Sequence, residues 1–288
     1  MRSRPCATGA WSDVPTLLYV PADRPGRVAK ALASDAGVVI LDLEDAVSAG
    51  NKDAARAEVG RLLAAPVRPV QVRVNDPRTP YGRADLGALA AVLTVTEGVR
   101  LPKIESAEQV CETAALVPGV ALHLLLESAL GVERAYEIAV AHPAVASVGL
   151  GEADLRADLG VSDDAGLAWA RSRVVVAARA AGLPPPVQSV YPDIRDLDGL
   201  AESSRLGRSL GFRGRAAIHP VQLSVIAEAY RPSPAEVTAA RRIVAAFEEG
   251  TAAGTGAVAL PGGGFVDVAV ARQAERVLAD AENPSGRK

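Results

Sequence analysis

Only two cysteines, Cys6 and Cys111, occur in 288 residues. They lie far apart, so the chain has neither a disulfide framework nor the paired spacing of a structural zinc site, and this usage fits a reducing compartment. Aromatic residues make up 3% of the chain, too few for the stacking platforms that grip single-stranded nucleic acid. A strong excess of either charge is missing as well: Lys+Arg 31 against Asp+Glu 34 leaves a net charge of −3, and no polyanion-binding surface is expected. No apolar run is long and unbroken. The most hydrophobic window, residues 114–132, is interrupted by Pro118, His123 and Glu127, which argues against a membrane span. Residues 1–14 are basic without an apolar signal core and are expected to be a flexible leader. These absences together predict a soluble, cytoplasmic protein whose partners include neither nucleic acid nor membrane.

Ample apolar material is present, 49% of residues. It is arranged as short runs: "TLLYVP", "GVVILDLEDAV", "PVQVRVN", "GVRLPKIE", "ALHLLLES", "VASVGLGEAD", "VQSVYPD" and "RAAIHP". Most are rich in aliphatic residues, as strands buried on both faces are. Ala-rich amphipathic stretches such as "AEQVCETAAL" and "LAWARSRVVVAARAAG" separate them, several ending in Gly or Pro. Eight strand-like runs, each followed by a helix, predict an α/β fold of the (β/α)8 TIM-barrel type over residues 15–247. A doubly wound open sheet is the alternative, but no GxGxxG follows the first run to favour it. Residues 248–288 change character: a Gly-rich linker, a hairpin-like segment turning at "PGGG", and a last helix predict a short C-terminal arm.

In such a barrel the chemistry sits at the C-terminal ends of the strands, so the polar residues there are the informative ones. Glu127 follows "HLLL", where a bare carboxylate would be costly to bury unless neutralised, protonated or bound to a cation. Asp154 closes the next run, and two acids on neighbouring strands are enough to hold Mg2+ with several waters. Helix capping is the competing explanation for both. Arg73 ends "VQVR" and offers a planar fork for a carboxylate or thioester oxygen, with a salt bridge to "DLED" as its alternative. Glu44 is the acid in "DLED" favoured for the site, accepting from Arg73 or from metal-bound water. His219 is a candidate base or a structural histidine. No Ser-His-Asp arrangement and no Walker-type loop occurs.

Several segments occur in a recognisable order: "LLYVPADRPGRVAKAL", "VVILDLEDAV", "LPKIESAEQV", "ESALGVERAYEIA", "GLGEADLRADLG" and "GFRGRAAIHPVQLSVI". Together they resemble the citrate lyase β-subunit-like branch of the HpcH/HpaI aldolase superfamily, which includes malyl-CoA and citramalyl-CoA lyases. The resemblance spans about residues 15–280 and implies a trimeric or hexameric TIM barrel that uses Mg2+ to break or form C–C bonds in 3-hydroxyacyl-CoA thioesters. By motif, Glu127 and Asp154 resemble the metal ligands, and Arg73 the substrate- and enolate-binding arginine. Arg24 and Lys30 resemble the residues that meet CoA phosphates, with a solvated helix face as the alternative. Asp267, in "GFVD", resembles an acid/base aspartate delivered from a neighbouring subunit, with a helix cap as the alternative. Three alternatives stay open at this point: a CoA-free pyruvate aldolase, which would not need Arg24, Lys30 or Asp267; a malate-synthase-like or thioesterase enzyme, which would use the same residues; and a β subunit acting only inside a citrate lyase complex, whose arm and basic pair would be docking surfaces.

Overall fold

The computed structural model of the chain describes residues 16–64, 68, 70–93, 96, 98–260 and 264–282. The expected leader, Cys6 and most of the "PGGG" turn lie outside the described residues. Eight parallel strands form one sheet: β1 (Thr16–Pro21), β2 (Val38–Asp42), β3 (Val70–Arg73), β4 (Val99–Leu101), β5 (Leu122–Leu126), β6 (Val145–Leu150), β7 (Val187–Gln188) and β8 (Gly214–Ala217). Their order, β6-β5-β4-β3-β2-β1-β8-β7, follows the chain around a TIM-like barrel with its seam between β6 and β7. At the seam, Gly149 of β6 lacks a Cβ that would stand 3.7 Å from the Val187 carbonyl, and the Glu152 N–H donates to Ser189 Oγ at 3.2 Å.

Apolar content explains the barrel. Every residue of β2 and of β5 is buried, and Leu17, Ile40 and Ala216 pack together inside, with Tyr19 and Val187 against them. Each fully buried Leu or Ile contributes about 2 kcal/mol of transfer free energy. Strand ends follow local chemistry. Pro102 has no N–H to continue β4, and Lys103 beyond it turns into the left-handed region at φ 56°. The helix Ala107–Leu116 starts at a reciprocal capping box between Ser106 and Gln109. Strand β7 is shorter than the run "VQSVYPD" suggests, because the chain leaves the sheet after Gln188 towards Pro192.

Register positions the rim. Pro21 of β1 is paired with Asp42 of β2, and Asp42 with Arg73 of β3, so these three end side by side. Helix Glu152–Leu159 then carries Asp154 just beyond β6. Its first residue, Glu152, is buried and is held by the Arg171 guanidinium through bonds of 2.8 and 2.7 Å. Arg171 also reaches Asp164.

Backbone contacts divide the chain into compact units at 227/228. The second unit contains helix Pro234–Ala252, an antiparallel pair of β9 (Val258–Ala259) and β10 (Phe265–Val266), and helix Val268–Glu282. Residues 247 and 248 lie inside its first helix, so the glycine-rich stretch begins past Ala252, near Gly254 at φ 81°. Among the described residues, no helix is long and apolar enough to cross a membrane.

The Glu152–Arg171 pair yields a stability prediction. Arg171→Ala leaves a buried carboxylate uncompensated and is expected to cost about 3–5 kcal/mol, read from the urea unfolding midpoint. A loss below about 1 kcal/mol would show that Glu152 does not depend on this pair.

Candidate active site

Arg73 is the best-anchored side chain of the rim. Its Nε and Nη2 donate to the two oxygens of Asp42, both at 2.7 Å, in a bidentate fork. Its Nη1 lies 2.8 Å from Glu44 Oε2, and its guanidinium stands 5.0 Å from the Tyr19 ring centroid. Asp42 is itself fixed by the Glu44 N–H, 2.9 Å from Oδ1. The guanidinium therefore cannot swing, and the two acids hold it firmly charged against the burial that opposes the charge.

Glu127 follows β5 and is 6% exposed. Burial first, then the neighbouring Glu44 charge, pushes its carboxyl up to about 8, and an acid so held is stabilised by a nearby cation. Lys103 is the cation within reach. Its N–H donates to Glu127 Oε2 at 3.1 Å, while its ammonium lies 2.6 Å from Glu44, 3.4 Å from Asp154 and 3.8 Å from Glu127. Gly151 leaves the room: a Cβ there would collide with the Glu127 carboxylate. Ser128 caps the next helix through the Gly131 N–H and donates to Glu105 Oε1 at 2.7 Å.

Two concavities meet at Glu127 and Asp154. One, of about 440 Å³, runs into the barrel past Arg73, Tyr19 and Arg100; the other, of about 300 Å³, opens between Ser128, Glu105 and Arg78. The donor set suits a hard cation: two carboxylates of neighbouring strand ends, with space for water or ligand oxygens, as Mg2+ takes them. Among the described residues, no cluster of three or more His, Cys, Asp or Glu forms an all-protein cage. Zinc or a fully caged calcium is a poorer match.

The structure thus brings Arg73, Glu44, Glu127 and Asp154 to one rim. Arg24 and Lys30 are exposed on and before helix Pro25–Leu32 and border neither cavity, whereas Arg27 of the same helix does. His219 is exposed, its Nδ1 accepting from the Val221 N–H. Asp267 belongs to the second unit and caps helix Val268–Glu282, its Oδ1 accepting from the N–H groups of Ala269 and Val270 at 2.9 Å. Lys103, Arg27 and Arg100 also border these cavities and are not among the residues expected for the site. The signal for Lys103 was available: a lysine after a proline at a strand end, in a ring of acids.

The model of the HpcH/HpaI aldolase/citrate lyase family matches residues 15–220. The chain is 37% identical over 277 residues to a (3S)-malyl-CoA thioesterase of Cereibacter sphaeroides, covering 93% of this chain and 94% of that one. To a citrate lyase subunit beta-like protein of Mycobacterium tuberculosis it is 42% identical over 240 residues, covering 81% and 84%. The crystal structure of the CitE protein from Mycobacterium tuberculosis, in complex with magnesium, acetoacetate and coenzyme A, matches with a TM-score of 0.82 at 39% identity, over 94% of this chain and 99% of that one. With a barrel of the same architecture and a family match over most of its length, the chain belongs to the HpcH/HpaI aldolase/citrate lyase family, among its citrate lyase beta-like members, and is a lyase.

Proposed function

We propose that the chain is a Mg2+-dependent carbon–carbon lyase that cleaves or forms a 3-hydroxyacyl-CoA thioester, such as citramalyl-, malyl- or citryl-CoA, by a retro-Claisen reaction. One observation carries this reading: Arg73, Glu127 and Asp154 border a single cavity at the rim of the barrel. The relative solved with magnesium and coenzyme A supports it. Glu127 and Asp154 are the residues that would hold Mg2+, which supplies Lewis-acid polarisation of the substrate hydroxyl when bound. In cleavage the hydroxyl gives its proton to solvent water, a carbonyl forms at that carbon, and the C2–C3 bonding electrons pass to a thioester enolate.

Arg73 faces the charge of that enolate. Of the five N–H groups of a guanidinium, two are given to Asp42, with Glu44 Oε2 lying 2.8 Å from Nη1, and the others remain for substrate oxygens. A donor fixed in this way can lower the barrier by about 3 kcal/mol. Glu44 keeps the guanidinium aimed. Asp267 is the proposed acid that returns a proton to the enolate carbon, from a neighbouring subunit of a homotrimer or homohexamer; its capping bonds occupy Oδ1 and leave Oδ2 for the proton. Arg24 and Lys30 would attract the CoA phosphates from the exposed helix. The enzyme is proposed to work in the cytoplasm.

A second reading has an observation of its own, since a relative matching 93% of the chain is a thioesterase. Products separate the two. With Mg2+ and citramalyl-, malyl- or citryl-CoA, the lyase is expected to release an oxo acid trapped by a hydrazine reagent, with no free thiol. Thiol release without oxo acid would overturn cleavage in favour of hydrolysis.

Two substitutions probe the roles. Glu127→Gln and Asp154→Asn are expected to abolish Mg2+-dependent turnover with unfolding free energies within about 1 kcal/mol of wild type; turnover surviving at limiting Mg2+ would refute the ligand assignment. Asp267→Asn keeps a good helix cap but removes the acid, so it is expected to lower kcat while the melting temperature holds. Unchanged kcat would reduce Asp267 to a cap.

A further inference from the structure

Arg100 is a buried cation with no carboxylate partner among the described residues. It lies in the middle of β4 and is 8% exposed. Its Nε and Nη2 both donate to a single neutral acceptor, Gln71 Oε1, at 3.1 and 2.8 Å. Among the described residues, it makes no ion pair with a carboxylate. The contrast inside the same barrel is sharp: Arg73 holds Asp42 and Glu44, and Arg171 holds Glu152 and Asp164. Gln71 does not offset the charge, and its own buried Nε2 has no hydrogen-bond partner, so this amide is oriented by Arg100 alone.

Register aggravates the cost. Arg100 is paired with Arg73 on one side and His123 on the other, which puts two guanidinium-bearing residues on adjacent strands. Like charges so placed destabilise a sheet, and a buried charge without a partner costs several kcal/mol. A leucine would fill such a strand position better. Arg100 also borders the larger cavity together with Arg73, Tyr19 and Leu125. That cavity has the acids Glu127 and Asp154 at its rim and the guanidinium of Arg100 in its wall.

We propose that Arg100 is a specificity-determining residue that binds a carboxylate entering the barrel, so that the site favours acyl groups whose oxo-acid half carries a second carboxylate. One carboxylate would meet Arg73 and the rim, and the other would complete the fork of Arg100. The inference deepens the proposed lyase reading and rests on it for the identity of the substrate. Among citramalyl-, malyl- and citryl-CoA, it favours citryl-CoA, whose oxo-acid product is a dicarboxylate.

The test compares two stable probes of equal chain length, succinate and butyrate, by titration calorimetry of the full chain without metal. Wild type is expected to bind succinate at least tenfold more tightly than butyrate. Arg100→Met is expected to bring the ratio close to one with butyrate affinity unchanged within twofold, and Arg100→Lys to keep part of the preference. A wild-type ratio near one overturns the inference, as does an Arg100→Met ratio equal to wild type. If Arg100→Met does not fold, an Arg100→Gln variant with an intact melting transition and the full succinate preference overturns it equally. The probes need neither Mg2+ nor CoA, so an enzyme that fails to cleave thioesters would refute the lyase reading and leave this ratio standing.

Discussion

The rest of the rim depends on the fork between Arg73 and Asp42. Parallel pairing sets it up, because the register of β2 and β3 aligns these two residues at the same end of the barrel. Both bonds at 2.7 Å, and the stack on Tyr19, then fix a plane rather than a point charge. A lysine could not do this, since an ammonium on a flexible stem has no plane to fix. The consequence is geometric: the N–H groups not given to Asp42 are held in a fixed plane beside the cavity, and a donor held in that way needs no reorganisation when an oxygen approaches it.

Around that fixed cation the acids are crowded. Glu44, Glu127 and Asp154 all lie within 4 Å of one ammonium, that of Lys103. Such a group of carboxylates is unstable when uncompensated, because each desolvated charge raises the cost of the next. Lys103 relieves it at the expense of a backbone conformation that non-glycine residues seldom adopt. An outlier of this kind persists where the surroundings over-determine it, and the Glu127 carboxylate bound to the Lys103 N–H is part of what does so here. Small residues complete the arrangement. With any side chain at position 151, the Glu127 carboxylate would have to move.

Much of this was legible in the sequence, for one physical reason. A parallel barrel puts all its strand C-termini on one face, so polar residues ending apolar runs converge without any knowledge of distances. Arg73, Glu44, Glu127 and Asp154 were found in that way. What stayed hidden depended on phase rather than order. Pro25 at the start of the first helix makes Arg24 its cap and turns Arg27, not Lys30, towards the cavity. Arg100 falls inside a short apolar run, and only the register and the cavity show that it stands beside Arg73. The brevity of β7 was also hidden: "VQSVYPD" has strand-like residues, yet the chain departs after Gln188.

The structural role of Asp267 leaves room for the chemical one proposed for it. An N-cap needs one acceptor oxygen, and the two bonds seen here both end on Oδ1. The capping bonds also draw negative charge on this carboxylate towards the start of a helix, where the backbone dipole favours it. That interaction holds the carboxylate in one orientation, which a proton donor on a chain segment rich in glycine otherwise lacks. The same chemistry makes Asn a faithful structural replacement and a chemically silent one. Capping is therefore no evidence against a catalytic role for Asp267; it is the means by which an acid on a short arm would be kept aimed at a carbon atom.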